Sequence, residues 1–174
     1  MTNFEIARLK YKPETIKYLF IAEAPPKIDA KRFFYFENVD RQDSLFIEMM
    51  KCIYPDLTDK IDTPTIRKNK KLFLERFRNE GFYLIDSLDA PFEQELTSRQ
   101  KEFLIKQGQK NLLNKINSLS TTETKIILIS ATVFNANFIY LIGNGINIIN
   151  KSFIDFPGSG GQKKFREKVS FIIR

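Results

Sequence analysis

Short, unbroken apolar runs alternate along this chain with longer stretches in which apolar residues recur every three or four positions. The first run, Lys17-Tyr18-Leu19-Phe20-Ile21-Ala22-Glu23, stops at Pro25-Pro26, the pattern of a buried strand that ends in a loop. Leu45, Phe46, Met49, Met50 and Ile53 then fall on one face of a helix that ends before Pro55. The polar stretch 56–65 reads as a mobile loop. A second helix is expected with Thr63 as its N-cap and Pro64 at the first helical position, burying Ile66, Phe73, Leu74 and Phe77 and stopping at Gly81. Directly after that glycine, residues 82–87 form another continuous run, closed by polar residues and Pro91. Residues 97–119 carry a capping-box pair, Thr97 and Gln100, and a helical stripe through Phe103, Leu104, Leu112, Leu113 and Ile116, with Gly108 as a point of bending. A third strand is expected at 125–130, a helix at 132–142, a turn at Gly143-Asn144-Gly145 and a fourth strand at 146–150.

Strands separated by helical stretches imply crossover connections and a parallel sheet with helices on both faces. The expected fold class is therefore α/β, with a central four-stranded parallel sheet, in one domain over residues 1–174. The 43% hydrophobic content and 17 Phe are enough for a sizeable core at this length. Sheets of this kind bind ligands at the carboxyl ends of their strands, which directs attention to the loops after Glu23, Asp86, Ser130 and Asn150.

Composition narrows the chemistry. A lone cysteine, Cys52, makes no internal disulfide and no cysteine-rich cluster, and the lack of any histidine removes imidazole from every mechanism. Neither a metal nor a cofactor is expected. The opening residues lack the features of a secretory signal and no apolar stretch reaches the roughly 18 residues of a membrane span, so a cytoplasmic monomer is expected. The formal charge of +7 admits two readings, an anionic partner such as nucleic acid or a lysine-coated surface.

Two loops carry candidate chemistry. Ala22-Glu23-Ala24-Pro25-Pro26 places a carboxylate at the tip of the first strand, beside a turn that double proline pre-shapes. Downstream, Lys31-Arg32-Phe33-Phe34-Tyr35-Phe36 sets cations next to aromatics, either a stacking surface for a base or part of the core. The second loop, Phe156-Pro157-Gly158-Ser159-Gly160-Gly161-Gln162, leads into a basic terminal helix with Lys163, Lys164 and Arg166. Its glycines and the helix start suit a phosphate, although a plain flexible turn has the same composition and the spacing matches no Walker or dinucleotide fingerprint. Asp86, ending the second strand, is a further carboxylate, available for acid–base work with Glu23 or as a turn acceptor.

The first loop resembles the opening motif of the uracil-DNA glycosylase superfamily, a Gly-Glu-Ala-Pro-Gly type loop in its iron–sulfur branch. Phe156-Pro157-Gly158-Ser159-Gly160 sits where that superfamily has its second motif, a His-Pro-Ser type loop that wedges into DNA. The resemblance implies a three-layer αβα sandwich that flips a nucleotide from the duplex, stacks its base on an aromatic ring and hydrolyses the N-glycosidic bond. It implies Glu23 as the main catalytic carboxylate; Asp86 is a catalytic candidate through its place at the end of the second strand and not through the resemblance. It places the base against Pro25 and a stacking ring among Phe34, Tyr35 and Phe36. The nucleic-acid backbone would meet Pro157, Gly158, Ser159, Gly160, Gln162, Lys163 and Lys164.

Ala24 falls where other branches carry a water-activating Asp. Phe156 stands where a histidine donor is expected, Ala22 replaces a glycine, and the cluster cysteines are missing. Loss of one preorganised donor costs about 100- to 1000-fold in rate where it has been measured. Two further functions remain open, a binding module that keeps the basic groove without chemistry, and a hydrolase of free nucleosides or nucleotides.

Overall fold

The computed structural model of the protein describes residues 1–27, 29–158 and 160–173. In chain order the elements are α1 (Asn3–Lys10), β1 (Tyr18–Ala22), α2 (Ser44–Ile53), α3 (Pro55–Thr58), α4 (Thr63–Lys68), α5 (Lys70–Asn79), β2 (Phe82–Asp86), α6 (Ser98–Gln107), α7 (Gln109–Leu119), β3 (Lys125–Leu128), α8 (Ala131–Gly143) and α9 (Gln162–Ile173).

Among the described residues the strands form a three-stranded parallel sheet in the order β2-β1-β3. Tyr18 of β1 lies level with Phe82 and Lys125 of its two neighbours, and Ala22 lies level with Asp86. The central strand is sealed on both faces: Leu19, Phe20 and Ile21 have no exposed surface. On one side α2 packs against α9 while α5 lies on β2, where Phe77 stacks on Phe82 at 5.4 Å. α6, α7 and α8 pack against one another, with α8 also against β3. This α/β arrangement fits an αβα sandwich.

Of the expected fourth strand at 146–150 only one isolated bridge is present, Ile126 with Ile148; a second, Ile129 with Ile154, lies beyond it. The reason lies in Asn150. Its side-chain Oδ1 accepts from the Leu128 N–H at 3.0 Å and its Nδ2 donates to the Leu128 carbonyl at 3.1 Å. One amide thus takes both ladder groups that a fourth strand's backbone would have used, and the sheet edge is satisfied without a continuous strand.

Three local expectations also change. The helix expected from Thr63 to Gly81 is two helices meeting at Asn69, whose Nδ2 donates to the Thr65 carbonyl at 2.9 Å and competes with the helical ladder. Its N-cap is Asp62, which accepts from the Thr65 N–H at 2.9 Å, not Thr63. The stretch 56–65 is not a bare loop, since it holds most of α3 and the start of α4. The capping box of Thr97 and Gln100 forms as expected, and Gly108 separates α6 from α7. The first helix went unforeseen, although its own capping box, Thr2 and Glu5, is visible in the sequence.

Among the described residues no helix is long and apolar enough to cross a membrane.

Candidate functional site

A cavity of about 650 Å³ opens at the carboxyl ends of β1 and β2, between the loop after β1, the start of α2 and the loop before α9. Its size lies within the range of small-molecule sites. Glu23, Asp86, Phe34, Gly158 and Gln162, drawn from segments far apart in sequence, all line it.

Glu23 follows β1 directly and is held from two sides. Its Oε1 accepts from the Ser130 hydroxyl at 3.0 Å and its Oε2 lies 3.3 Å from the Lys101 amine, leaving the side chain 22% exposed. Ser130 follows β3, on the other side of the switch in connection direction that the strand order creates. There the same hydroxyl accepts from the Val133 N–H at 3.2 Å and caps α8. Ser130 holds φ at 81°, a left-handed conformation costly for a residue with a Cβ and common where a site over-determines the backbone.

Asp86 is buried at the end of β2 and forms an ion pair with Arg8 of α1. Burial pushes its carboxyl up to about 6, against the pull of Arg8 and Lys115. Arg8 also stands 5.4 Å from the centre of the Phe33 ring.

A third carboxylate, Asp43, was not foreseen as part of a site. It occupies the N-cap position of α2 but does not cap it, because its Oδ1 accepts from Arg67 Nε at 3.0 Å and Nη2 at 2.9 Å. Its Oδ2 has no hydrogen bond, and the amine of Lys70 lies 3.7 Å away. Lys70 is wholly enclosed, donates to the Phe33 carbonyl at 3.2 Å and sits 4.4 Å from the Phe46 ring centre. Desolvation lowers its amine to about 8 despite the neighbouring Asp43. Gln42, just before Asp43, has a φ of 57° and also faces the cavity.

The aromatic run divides. Phe33 and Phe34 line the cavity. Tyr35 turns into the core, where its hydroxyl donates to the Leu84 carbonyl at 3.0 Å and accepts from the Leu84 N–H at 2.7 Å, so the expected stacking role does not fit it. Phe36 stacks on Phe4 of α1 at 5.5 Å and is not part of the cavity wall. Phe46 and the half-exposed Phe156 complete the aromatic lining.

Pro25 is not in this wall; it borders a shallower hollow shared with Phe92 and Lys101. Pro157 is buried beside the closing loop, and Gly160 is exposed with φ at 82°. Ser159 lies outside the described residues. The loop's tightness depends on Gly161, where a Cβ would come within 2.2 Å of the Phe156 carbonyl oxygen. Lys163 and Lys164 are exposed on the first turn of α9 and do not line the cavity, whereas Arg32, at its mouth, does.

Compared with known proteins, the chain matches no family model, and no curated protein or solved structure matches it significantly.

The arrangement has consequences for chemistry. A carboxylate fixed by a hydroxyl and an ammonium is oriented in advance, as a group that positions water or faces developing positive charge must be. Cys52 is not a candidate nucleophile, because burial pushes its thiol up to about 12.

Proposed function

We propose that the protein is a glycosylase-like hydrolase that cleaves the N-glycosidic bond of a damaged or modified base in DNA, in an αβα fold like that of the uracil-DNA glycosylase superfamily. The observation that carries this reading is that Glu23, four aromatic rings, Gly158 and Gln162 border one cavity. A base turned out of the stack would lie against Phe34, its sugar toward Glu23, with the flanking phosphates near Arg32, Lys163 and Lys164. Glu23 would orient water toward the anomeric carbon and face the charge that builds there as the bond breaks. The half-exposed Phe156 is suited to fill the gap left in the duplex, as apolar wedges do in other DNA-bending proteins.

The test is release of free base from duplexes carrying a panel of single lesions, by the wild type and by Glu23→Gln. Loss of at least 100-fold in the variant is expected. Normal cleavage by the variant removes Glu23 from the mechanism, and no cleavage of any lesion removes the hydrolase reading.

A second reading, a nucleic-acid binding module without turnover, draws on the fact that both Glu23 oxygens already have partners. It predicts salt-sensitive DNA affinity with no base release.

A further inference from the structure

Three depressions run on from one another along the surface. The Glu23 cavity shares Pro26 with a second hollow of about 460 Å³, and that hollow shares Gln94 and Leu96 with a third of about 470 Å³. The path follows the connection from β2 to α6 and ends on α6 at Phe103 and Leu104.

This groove combines apolar side chains with cations. Phe103 is 61% exposed and Leu104 37%, on successive positions of α6, and the half-buried Leu96 borders the same hollow. Single exposed apolar side chains are ordinary on a protein surface, but these line a hollow that leads back to a cavity. Lys27 and Lys101 line the second hollow and Arg99 the third, against one carboxylate, Glu95. Lys27 and Arg99 make no ion pair among the described residues.

Lys101 joins the groove to the cavity. Its amine lies 3.3 Å from Glu23 Oε2 and 5.3 Å from the centre of the Phe92 ring, and its side chain keeps 32% of its surface exposed. An ammonium has three donor hydrogens, so the one held by Glu23 leaves two for a ligand. Because Lys101 already covers Phe92, the ring left for stacking is Phe103.

A chain that carries flat rings on an anionic backbone suits this combination, since its rings stack on an aromatic face while its charges follow the cations. A peptide would meet the same apolar residues. Three cations against one carboxylate, and the continuity with the Glu23 cavity, favour the polyanion.

We propose that the groove holds an unpaired DNA strand on one flank of the turned-out base, with a base stacked on Phe103 and phosphates near Lys27, Lys101 and Arg99. The inference rests on the proposed function for the base in the cavity and on the groove for the state of the strand. Bases in a duplex are stacked on one another and offer no free face to a ring on the protein.

Two measurements keep these apart. In the first, the affinity for a twelve-nucleotide oligothymidylate is compared with that for a thymidine dinucleotide and for a hairpin duplex of the same length. The long strand is expected to bind at least tenfold more tightly than either. Phe103→Ala should cut the ratio of long-strand to dinucleotide affinity at least fivefold, the low end for loss of one stacked base. Arg99→Glu should also cut it, and should lower the slope of log affinity against log salt by about 0.7. Equal binding of the duplex, or a ratio that neither variant changes, overturns the inference. So does failure of the long strand to bind, and a polyglutamate peptide bound in its place through Phe103 would assign the groove to a protein partner. In the second, release of free base is followed from single strands and duplexes carrying the same panel of lesions. Release at least tenfold faster from the single strand is expected. Faster release from the duplex overturns the inference and leaves the hydrolase reading standing. Strand binding that both variants weaken, with no release from any substrate, supports the groove and ends the hydrolase reading.

Discussion

The Ser130 hydroxyl donates to Glu23 Oε1 at 3.0 Å, linking the ends of β3 and β1 across 107 residues of chain. The same oxygen caps α8, and the backbone that carries it has a φ of 81°. Two substitutions separate these roles. Ser130→Ala keeps the backbone strain and loses the cap, so about 1 kcal/mol of stability should be lost. Ser130→Gly relieves the strain and, as a cap, costs only about a few tenths of a kcal/mol, so its stability should stay close to wild type. Both lose the donor to Glu23 and should lose base release alike. Thermal unfolding and single-turnover kinetics on the pair check this, and a difference in rate that tracks stability would refute it.

Arg8 and Asp86 predict a pH dependence of folding. The carboxyl of Asp86 is raised to about 6 in the fold, above its ordinary value of 3.8, so the folded protein binds that proton more tightly than the unfolded chain. Its contribution to stability is therefore full in acid and is lost as pH rises from about 4 to about 6. Asp86→Asn should flatten that part of the stability profile. Arg8→Met, which removes the closest cation, should raise the carboxyl further, visible in a carboxyl-carbon NMR titration.

Asp43 faces one wholly buried amine and one guanidinium, with Lys70 3.7 Å from its Oδ2. Asp43→Ala leaves both cations without their carboxylate and should cost about 3–5 kcal/mol in urea unfolding. Adding Lys70→Met to that variant should recover part of the loss, because the stranded buried charge is then gone. A loss under about 1 kcal/mol for Asp43→Ala would mean the ion pairs do not hold this wall.

Lys163 and Lys164 are exposed at the start of α9, with Lys163 lying 3.9 Å from Glu167 on the same helix. If they meet phosphates, Lys163→Glu and Lys164→Glu should each weaken DNA binding and lower the slope of log affinity against log salt by about 1. The folded stability should barely change, since surface ion pairs contribute about 0–1 kcal/mol. Unchanged slopes would take α9 out of the DNA interface.

Local pattern alone determined a good part of this protein. Three strands, the apolar face of α2, the cap at Thr97 and the position of Glu23 at a strand tip all follow from periodicity, caps and prolines, which act over a few residues. The meeting of Glu23, Asp86, Phe34 and the Gly158 loop was expected from strand ends, because parallel sheets bring those ends to one edge. What only the tertiary structure decided depends on where individual side chains turn. Four consecutive aromatics look alike in sequence, yet Phe33 and Phe34 face the cavity, Tyr35 is drawn inward by the Leu84 backbone and Phe36 by Phe4. Asn150 ended a strand by pairing its side chain with Leu128, and Arg8 reached a partner 78 residues away. A hydrogen bond or ion pair between distant residues leaves no periodic trace in the chain. It is set by the free energy of satisfying buried polar groups once the sheet and helices have brought them together.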